Sequence, residues 1–256
     1  MAQGNLMITP RRVVFEGTLK TQELNLANTG RDTARYLISL FEIRMKANGT
    51  FEQIAVPDSG QNFASSFIRF FPRSVILGPG EAQTVKVQVI KQAQLLAGEY
   101  RSHIYFRAIP TEKPLGETTA PTDTNGISVR LTPVFGISIP VIIRVGESTS
   151  TVTVSNVEFD MWRDSIPSLS LVLNRTGNMS VYGDITVDFI SATGKVTQVS
   201  HVKGIAVYTP TTSRSVKVLL DKKAGINYKT GRLHVTYTTP VDAKSVKMVE
   251  TDLALF

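Results

Sequence analysis

The chain has 256 residues, is 42% hydrophobic and 19% charged, and contains no cysteine. This composition is typical of a soluble globular protein with one large or two modest domains, and it excludes disulfides, thiolate nucleophiles and Cys-ligated metal sites. The net charge of +7 comes from scattered basic residues and pairs, which indicates a mildly basic surface and no nucleic-acid-binding segment. No apolar run approaches the roughly 20 residues of a membrane-spanning helix, so we expect no direct membrane insertion.

The first part of the chain alternates apolar and polar residues in the manner of β-strands and shows almost no helical periodicity. Turn signals divide these strands, the strongest being Asn48-Gly49 and the Gly-Pro-Gly turn at residues 78–80. A further strand, AGEYRSHIYFRAIP, stops at Pro110. The segment that follows, TEKPLGETTAPTDTN at residues 111–125, holds almost no apolar residue and predicts a loop of about 15 residues, long enough to be functional or mobile.

A long strand is predicted after this loop, because every second residue over a run of eight positions is apolar. The eight positions are Val129, Leu131, Pro133, Phe135, Ile137, Ile139, Val141 and Ile143. The strand also carries a second proline, Pro140. Since each proline removes a donor from a β-ladder, the pattern favours an edge strand.

The remainder of the chain restarts the strand pattern after a linker, GESTST, at residues 146–151. Seven short strands with turns between them, in about 105 residues, are typical of an immunoglobulin-like sandwich, and the first half has a similar number. We therefore predict an all-β protein of two tandem immunoglobulin-like β-sandwich domains. The predicted boundaries are residues 1–145 and 146–256.

The sequence contains no motif that indicates a catalytic or metal-binding site. The histidines His103, His201 and His234 lie in separate alternating strands, without a second metal ligand at a suitable spacing. No nucleophile-elbow motif occurs, and Asp and Glu pairs can be found in any β protein, so they do not indicate a glycosidase. We predict that the protein is not an enzyme and has no catalytic residue, cofactor or metal site.

Four segments of the first domain carry an ordered similarity to a known family. In chain order they are ITPRRVVFEG, LNLANTGRDTARYLISLFEI, FFPRSVILGPGEAQTVKVQVI and YRSHIYFRAIP, followed by a variable loop and an alternating strand that ends in Arg144. Together they resemble the N-terminal domain of periplasmic pilus (fimbrial) assembly chaperones of the chaperone–usher pathway. The second domain is similar to the family only in being immunoglobulin-like and of suitable size, and it lacks the disulfide that many members carry there.

The resemblance implies a function for the long edge strand. Fimbrial subunits are incomplete immunoglobulin-like folds that lack their last strand, and the chaperone inserts its own strand into the exposed groove, which is donor-strand complementation. The implied partners are fimbrial subunits and an outer-membrane usher, and the implied location is the periplasm. The N-terminus, MAQGNLMITP, has no signal-peptide pattern, so the protein is either cytoplasmic or the sequence starts at the mature end of an exported chain.

The resemblance also implies site residues. Family members hold the C-terminal carboxylate of the subunit with an Arg of the first strand, which matches Arg12, and a Lys of the donor strand, which would fall on Pro140. Proline cannot bind an anion, so the resemblance implies either a divergent, non-classical branch of the family or an anchor that Arg12 shares with another base such as Arg11. The donor residues are predicted to be Val129, Leu131, Pro133, Phe135, Ile137 and Ile139. Toward the linker, from Ile139 on, we expect the strand to be held by its own domain.

Three other interpretations remain open at this point. The alternation of the long strand could serve only the core of its own domain, as in most sandwiches. The chain could be a tandem immunoglobulin-like adhesion or protein-interaction module, or, more distantly, a β-sandwich hydrolase or carbohydrate-binding protein. An exposed apolar edge would also favour self-association of the free protein.

Overall fold

The computed structural model describes residues 5–110, 134–163, 165–223, 226–240 and 245–256. The chain forms two compact units: the first consists of Met1–Glu42, Asn62–Leu96 and Tyr100–Val145, and the second of Ile43–Gln61, Ala97–Glu99 and Gly146–Phe256. The first unit thus ends at Val145. The second unit includes two short earlier segments that the sequence analysis assigned to the first domain.

The described residues are almost entirely strands and connections, with two single 3₁₀ turns at Ser65–Phe67 and Gln92–Gln94. The strands of the first part of the chain are β1 (Leu6–Thr9), β2 (Val13–Phe15), β3 (Thr21–Asn28), β4 (Ala34–Phe41), β5 (Ile43–Met45), β6 (Phe51–Gln53), β7 (Ile68–Phe71), β8 (Ser74–Leu77), β9 (Ala82–Val89), β10 (Gly98–Ile109) and β11 (Gly136–Val145). Those of the remainder are β12 (Thr151–Trp162), β13 (Ile166–Thr176), β14 (Val181–Ile190), β15 (Val196–Val207), β16 (Ser213–Leu219), β17 (Gly231–Thr238) and β18 (Lys247–Leu255).

Two sheets enclose the core of the first unit. One has the strand order β1-β3-β9-β7 and the other β2-β11-β10-β4-β8. The alternation seen in the sequence sends every second side chain inward. Leu24 and Leu26 of the first sheet and Ile104 and Phe106 of the second are therefore fully buried in one apolar cluster.

The start of the chain contributes to both of these sheets. β1 pairs with β3 in the first sheet, whereas β2 pairs in parallel with β11 in the second, through Val13 opposite Val141 and Phe15 opposite Ile143. The chain therefore changes sheets over residues 10–12. This crossing brings the Arg11-Arg12 pair alongside the end of the paired part of β11.

The second unit has its own pair of sheets and its own core. Their strand orders are β12-β13-β16 and β15-β14-β17-β18, and the core includes fully buried Leu169, Ile185 and Leu233. The β5–β6 hairpin belongs to this unit, and the Ser215 amide of β16 donates to the Ala47 carbonyl at 2.7 Å. The prediction of an all-β protein with two β-sandwiches is confirmed.

A buried polar network ties the segment Ala97–Glu99 into the second unit. The Glu99 side chain is 2% exposed, and its carboxylate accepts hydrogen bonds from the Ser180 amide at 3.0 Å and the Ser180 hydroxyl at 2.6 Å. Arg175, 4% exposed, donates to the carbonyls of Gly177 and Met179. Burial lowers the pKa of Arg175, and the charge of Glu99 opposes that shift. The charge of Glu99 therefore offsets part of the cost of burying Arg175.

Candidate functional site

Among the residues that the structure describes, no group of three or more His, Cys, Asp or Glu side chains is placed to hold a metal ion. The same residues include no helix with the length and hydropathy of a membrane span. The surface feature that bears on the predicted donor strand is the start of β11.

Exposure changes sharply along one face of β11. Phe135 is 64% exposed and Ile137 is 39% exposed, whereas Ile139, Val141 and Ile143 are 4%, 0% and 3% exposed. All five have the same parity and so lie on the same face of the strand. The face that packs into the core from Ile139 onward thus continues beyond that core as an exposed apolar stretch. We call Val134–Ser138 the donor segment.

One edge of the donor segment is open among the described residues. β11 lies between β10 and β2, but β2 pairs only with Val141, Ile142 and Ile143. No described strand pairs with the donor segment on the side of β2. A free edge next to exposed alternating apolar side chains is the arrangement into which another chain can add a strand.

One hydrogen bond shows to which side the backbone N–H and C=O groups of the donor segment point. The Ala108 amide of β10 donates to the Phe135 carbonyl at 2.9 Å. Because the polar groups of successive strand residues point to opposite sides, those of Gly136 and Ser138 point away from β10 toward the open edge. The backbone of Pro140 faces the same side as those of Gly136 and Ser138. Its missing amide therefore leaves no ladder hydrogen bond to β10 unmade, which is why an edge strand tolerates proline at such a position.

The predicted anchor residues lie between β1 and β2. Arg11 is exposed and Arg12 is partly buried. Val13 is opposite Val141 in a parallel pair, so Arg12 and Pro140 each directly precede the first paired residue of their strand. The chain therefore has a cation at the same end of this pairing as Pro140, the position where the family's lysine was expected.

The remaining predicted donor residues divide into two groups. Val129, Leu131 and Pro133 lie outside the described residues, as does the predicted loop at 111–125. Ile139 is 4% exposed and belongs to the core of its own unit, so we leave it out of the donor segment. Val134, 42% exposed, and the edge-facing Ser138 were not singled out from the sequence, although backbone parity could have identified Ser138.

A second polar group lies at the beginning of β10 in the first unit. The Ser102 hydroxyl accepts from the amides of Ala64 and Ser65, both at 2.9 Å, and donates to Glu42 at 2.8 Å. Arg101 and His103 are 2% and 3% exposed. Burial raises the pKa of Glu42, and burial together with the charge of Arg101 lowers the pKa of His103 to about 3.

His103 is expected to make the protein less stable in acid. Its pKa is about 3 in the folded state and about 6.5 when unfolded, so the unfolded chain takes up the proton first as the pH falls below about 6.5. Between pH 7 and pH 4 this lowers the free energy of unfolding by about 3 kcal/mol. Glu42, with its raised pKa, acts in the opposite direction.

Urea unfolding at several pH values checks this expectation. His103→Gln should remove most of the loss of stability between pH 7 and pH 4, because glutamine does not titrate. An equal loss in both proteins would show that other groups dominate the acid response.

No family model and no curated protein matches the chain at the level of sequence. Solved structures that resemble the chain include fimbrial chaperones. The CupB2 chaperone of Pseudomonas aeruginosa has a TM-score of 0.46 and 12% identity over 97% of this chain and 100% of its own. The SafB chaperone of Salmonella enterica, in complex with the SafA pilin, has a TM-score of 0.44 and 11% identity, over 100% of this chain and 98% of its own. The class 5 fimbriae chaperone CfaA has a TM-score of 0.42 and 15% identity, over 98% of this chain and 99% of its own.

The chain resembles fimbrial chaperones in structure. The similarity extends over nearly the whole chain, both units included. At these identities and TM-scores the likeness carries no argument about function, and a functional conclusion has to come from the donor segment and its surroundings.

Proposed function

We propose that the protein is a non-enzymatic periplasmic chaperone that binds fimbrial subunits by donor-strand complementation and delivers them to an outer-membrane usher. One observation carries the proposal: the inward-facing apolar row of β11 becomes exposed at Ile137 and Phe135, beside an edge that no described strand occupies. The ordered sequence resemblance of the first unit to this family is independent support.

Binding would combine backbone pairing with side-chain burial. The edge of a subunit would pair with the open edge at Gly136 and Ser138, while Phe135 and Ile137 enter apolar pockets at the strand period of two. Each side chain transferred fully from water contributes roughly 1.5–3 kcal/mol before ordering costs. The subunit gains the strand that its own fold lacks, and no ATP is needed.

Arg12 supplies the charge that would fix the register of the subunit strand. A strand that continues in line with β2 along the open edge ends beside Arg12, and a carboxylate there would form a charge-assisted hydrogen bond with the guanidinium. Arg11, exposed next to it, is the second base of this anchor. Pro140 contributes no charge.

Delivery to an usher requires a surface that the bound subunit leaves accessible. The β11–β10–β4–β8 part of the sheet has an outer face that is turned away from the core. This face carries Leu37, Ile76 and Ile109, which are 43%, 60% and 37% exposed. In the register of β10, β4 and β8, Arg35 lies between Ile109 and Ile76. We propose this mixed apolar and basic patch as the usher-facing surface.

The proposal is tested by co-expressing the exported chain with the small secreted proteins encoded beside its gene. A one-to-one complex with an immunoglobulin-like protein that lacks a strand is expected. In that complex, hydrogen exchange at the Gly136 and Ser138 amides should slow markedly relative to the free protein. A complex without protection at these amides, or the absence of any such complex, would refute donor-strand binding.

Arg12→Ala is expected to reduce subunit affinity by about 10- to 100-fold, as for loss of a charged hydrogen bond of 1.5–3 kcal/mol. The thermal midpoint should change little. Arg12→Lys, which keeps the charge but not the planar fork, should have an intermediate affinity. Titration calorimetry with the captured subunit measures all three, and wild-type affinity of a folded Arg12→Ala protein would remove Arg12 from the site.

The alternative of a tandem immunoglobulin-like interaction module shares the fold but predicts a different partner. Such a module would bind a completely folded protein through its surface, without strand addition. The amide protection at Gly136 and Ser138 separates the two functions, since only strand addition forms backbone hydrogen bonds at this edge.

A further inference from the structure

Tyr105 of β10 occupies the space above the first residue of β11. A Cβ atom built on Gly136 would overlap the Tyr105 ring at its Cε2, Cζ and Oη atoms. Gly136 does not have a positive φ, so the glycine is required here for space and not for an unusual backbone conformation. The ring takes the place of the missing side chain, an arrangement in which an aromatic residue compensates for a glycine in an edge strand.

The ring of Tyr105 is itself supported from the side. Its centroid lies 5.3 Å from that of Phe41, in an edge-to-face arrangement at 62°. Phe41 is also 5.9 Å from the ring of His103, which is 3% exposed. Turning the Tyr105 ring away from Gly136 would therefore disrupt a packed aromatic contact.

We propose that Tyr105 is a positioning residue of the donor segment, an inference that rests on the proposed function. The Ala108 amide of β10 donates to the Phe135 carbonyl at 2.9 Å. The Tyr105 ring covers Gly136, the residue that follows Phe135 in the chain. A glycine without such a cover leaves a strand conformationally free and without packing.

The position of this contact explains its effect on binding. Gly136 has the opposite parity to Phe135 and Ile137, so Tyr105 holds the strand from the face that does not carry them. The donor side chains remain free while the backbone beneath them is fixed. A fixed strand loses less conformational entropy when a partner binds, which lengthens the lifetime of the complex.

Reciprocal substitutions test this role in the full-length protein. Gly136→Ala introduces the overlapping methyl group, and Tyr105→Ala removes the ring. Each is expected to accelerate hydrogen exchange of the Ala108 amide by roughly tenfold or more in the free protein. In the double variant the methyl group fits the vacated space, so exchange should return toward the wild-type rate. Tyr105→Phe keeps the ring and should behave as the wild type.

The functional measurement is the lifetime of the complex with the captured subunit, at thermal midpoints close to that of the wild type. It should shorten in Gly136→Ala and Tyr105→Ala and recover in the double variant. Unchanged Ala108 exchange, additive losses in the double variant, or faster exchange with an unaltered lifetime would each overturn the positioning role. If the wild type captures no subunit, the proposed function is wrong. The stabilisation of β11 by Tyr105 is then judged from hydrogen exchange of the Ala108 amide in the free protein alone.

Discussion

Phe135→Asp is expected to leave the protein folded and to abolish capture of a subunit. Phe135 is 64% exposed, so a carboxylate there stays hydrated in the free protein and should change the free energy of unfolding by less than about 1 kcal/mol. In a complex the same carboxylate would enter an apolar pocket without a partner, which costs several kcal/mol. Affinity should therefore fall by about 1,000-fold or more.

Val141→Asp is the matched variant on the same face of the same strand. Val141 is fully buried, so the carboxylate would be placed inside the core of the free protein. We expect a loss of about 4 kcal/mol or more in the free energy of unfolding, which is a large part of the total stability of a domain. The urea midpoint should fall by at least about 1 M, or the protein should fail to fold.

Ile76→Asp controls for a new charge on exposed apolar surface. Ile76 is 60% exposed but lies on β8, away from the donor segment, so this variant should fold and still capture the subunit. Urea midpoints and pull-down yields of the three variants are the required measurements. If Phe135→Asp unfolds as readily as Val141→Asp, the strand serves only its own core and the donor assignment is wrong.

Glu99→Ala is expected to destabilise the second unit strongly. The substitution removes the acceptor of the Ser180 amide and hydroxyl, and it leaves Arg175, 4% exposed, without the opposing charge of Glu99. Removing one partner of a buried charge pair costs about 3–5 kcal/mol. For a unit of this size the thermal midpoint should fall by about 10–20 °C.

Two milder variants isolate the cause of that loss. Ser180→Ala removes only the hydroxyl bond and should cost about 1 kcal/mol, and Glu99→Gln keeps the volume and one acceptor oxygen. Differential scanning calorimetry should rank Glu99→Ala as the most damaging of the three. Equal effects for Ser180→Ala and Glu99→Ala would show that the buried charge contributes little.

The sequence by itself predicted the fold class and the strand that matters most. Alternation with a period of two, interrupted by Asn-Gly and Gly-Pro-Gly turns, indicates strands wherever it occurs, because it depends only on the backbone geometry of a single segment. The two prolines of the long strand indicated an edge in the same way, since a missing amide is a local property. The two sandwiches agree with these predictions, and so does the start of β11, where no described strand pairs on the side of β2 before Val141.

Other features needed residues that are distant in the sequence. Glu99 was indistinguishable from an ordinary strand residue until Ser180, 81 positions away, was found to donate to it. The Tyr105–Gly136 contact likewise requires β10 and β11 to lie side by side. Such pairings arise from the register of strands in a sheet, which a single-segment pattern does not contain.

The tertiary structure also explains why the donor segment ends before Ile139, a limit that was expected from the sequence only because the strand runs toward the linker there. Phe135, Ile137, Ile139 and Val141 are equivalent in the sequence, because alternation states which face a side chain occupies. It does not state whether another part of the protein covers that face. The first unit covers it from Ile139 onward, with β2 paired at Val141–Ile143, and leaves Phe135 and Ile137 exposed. Burial depends on the packing of two sheets against each other, and that is a property of the folded unit as a whole.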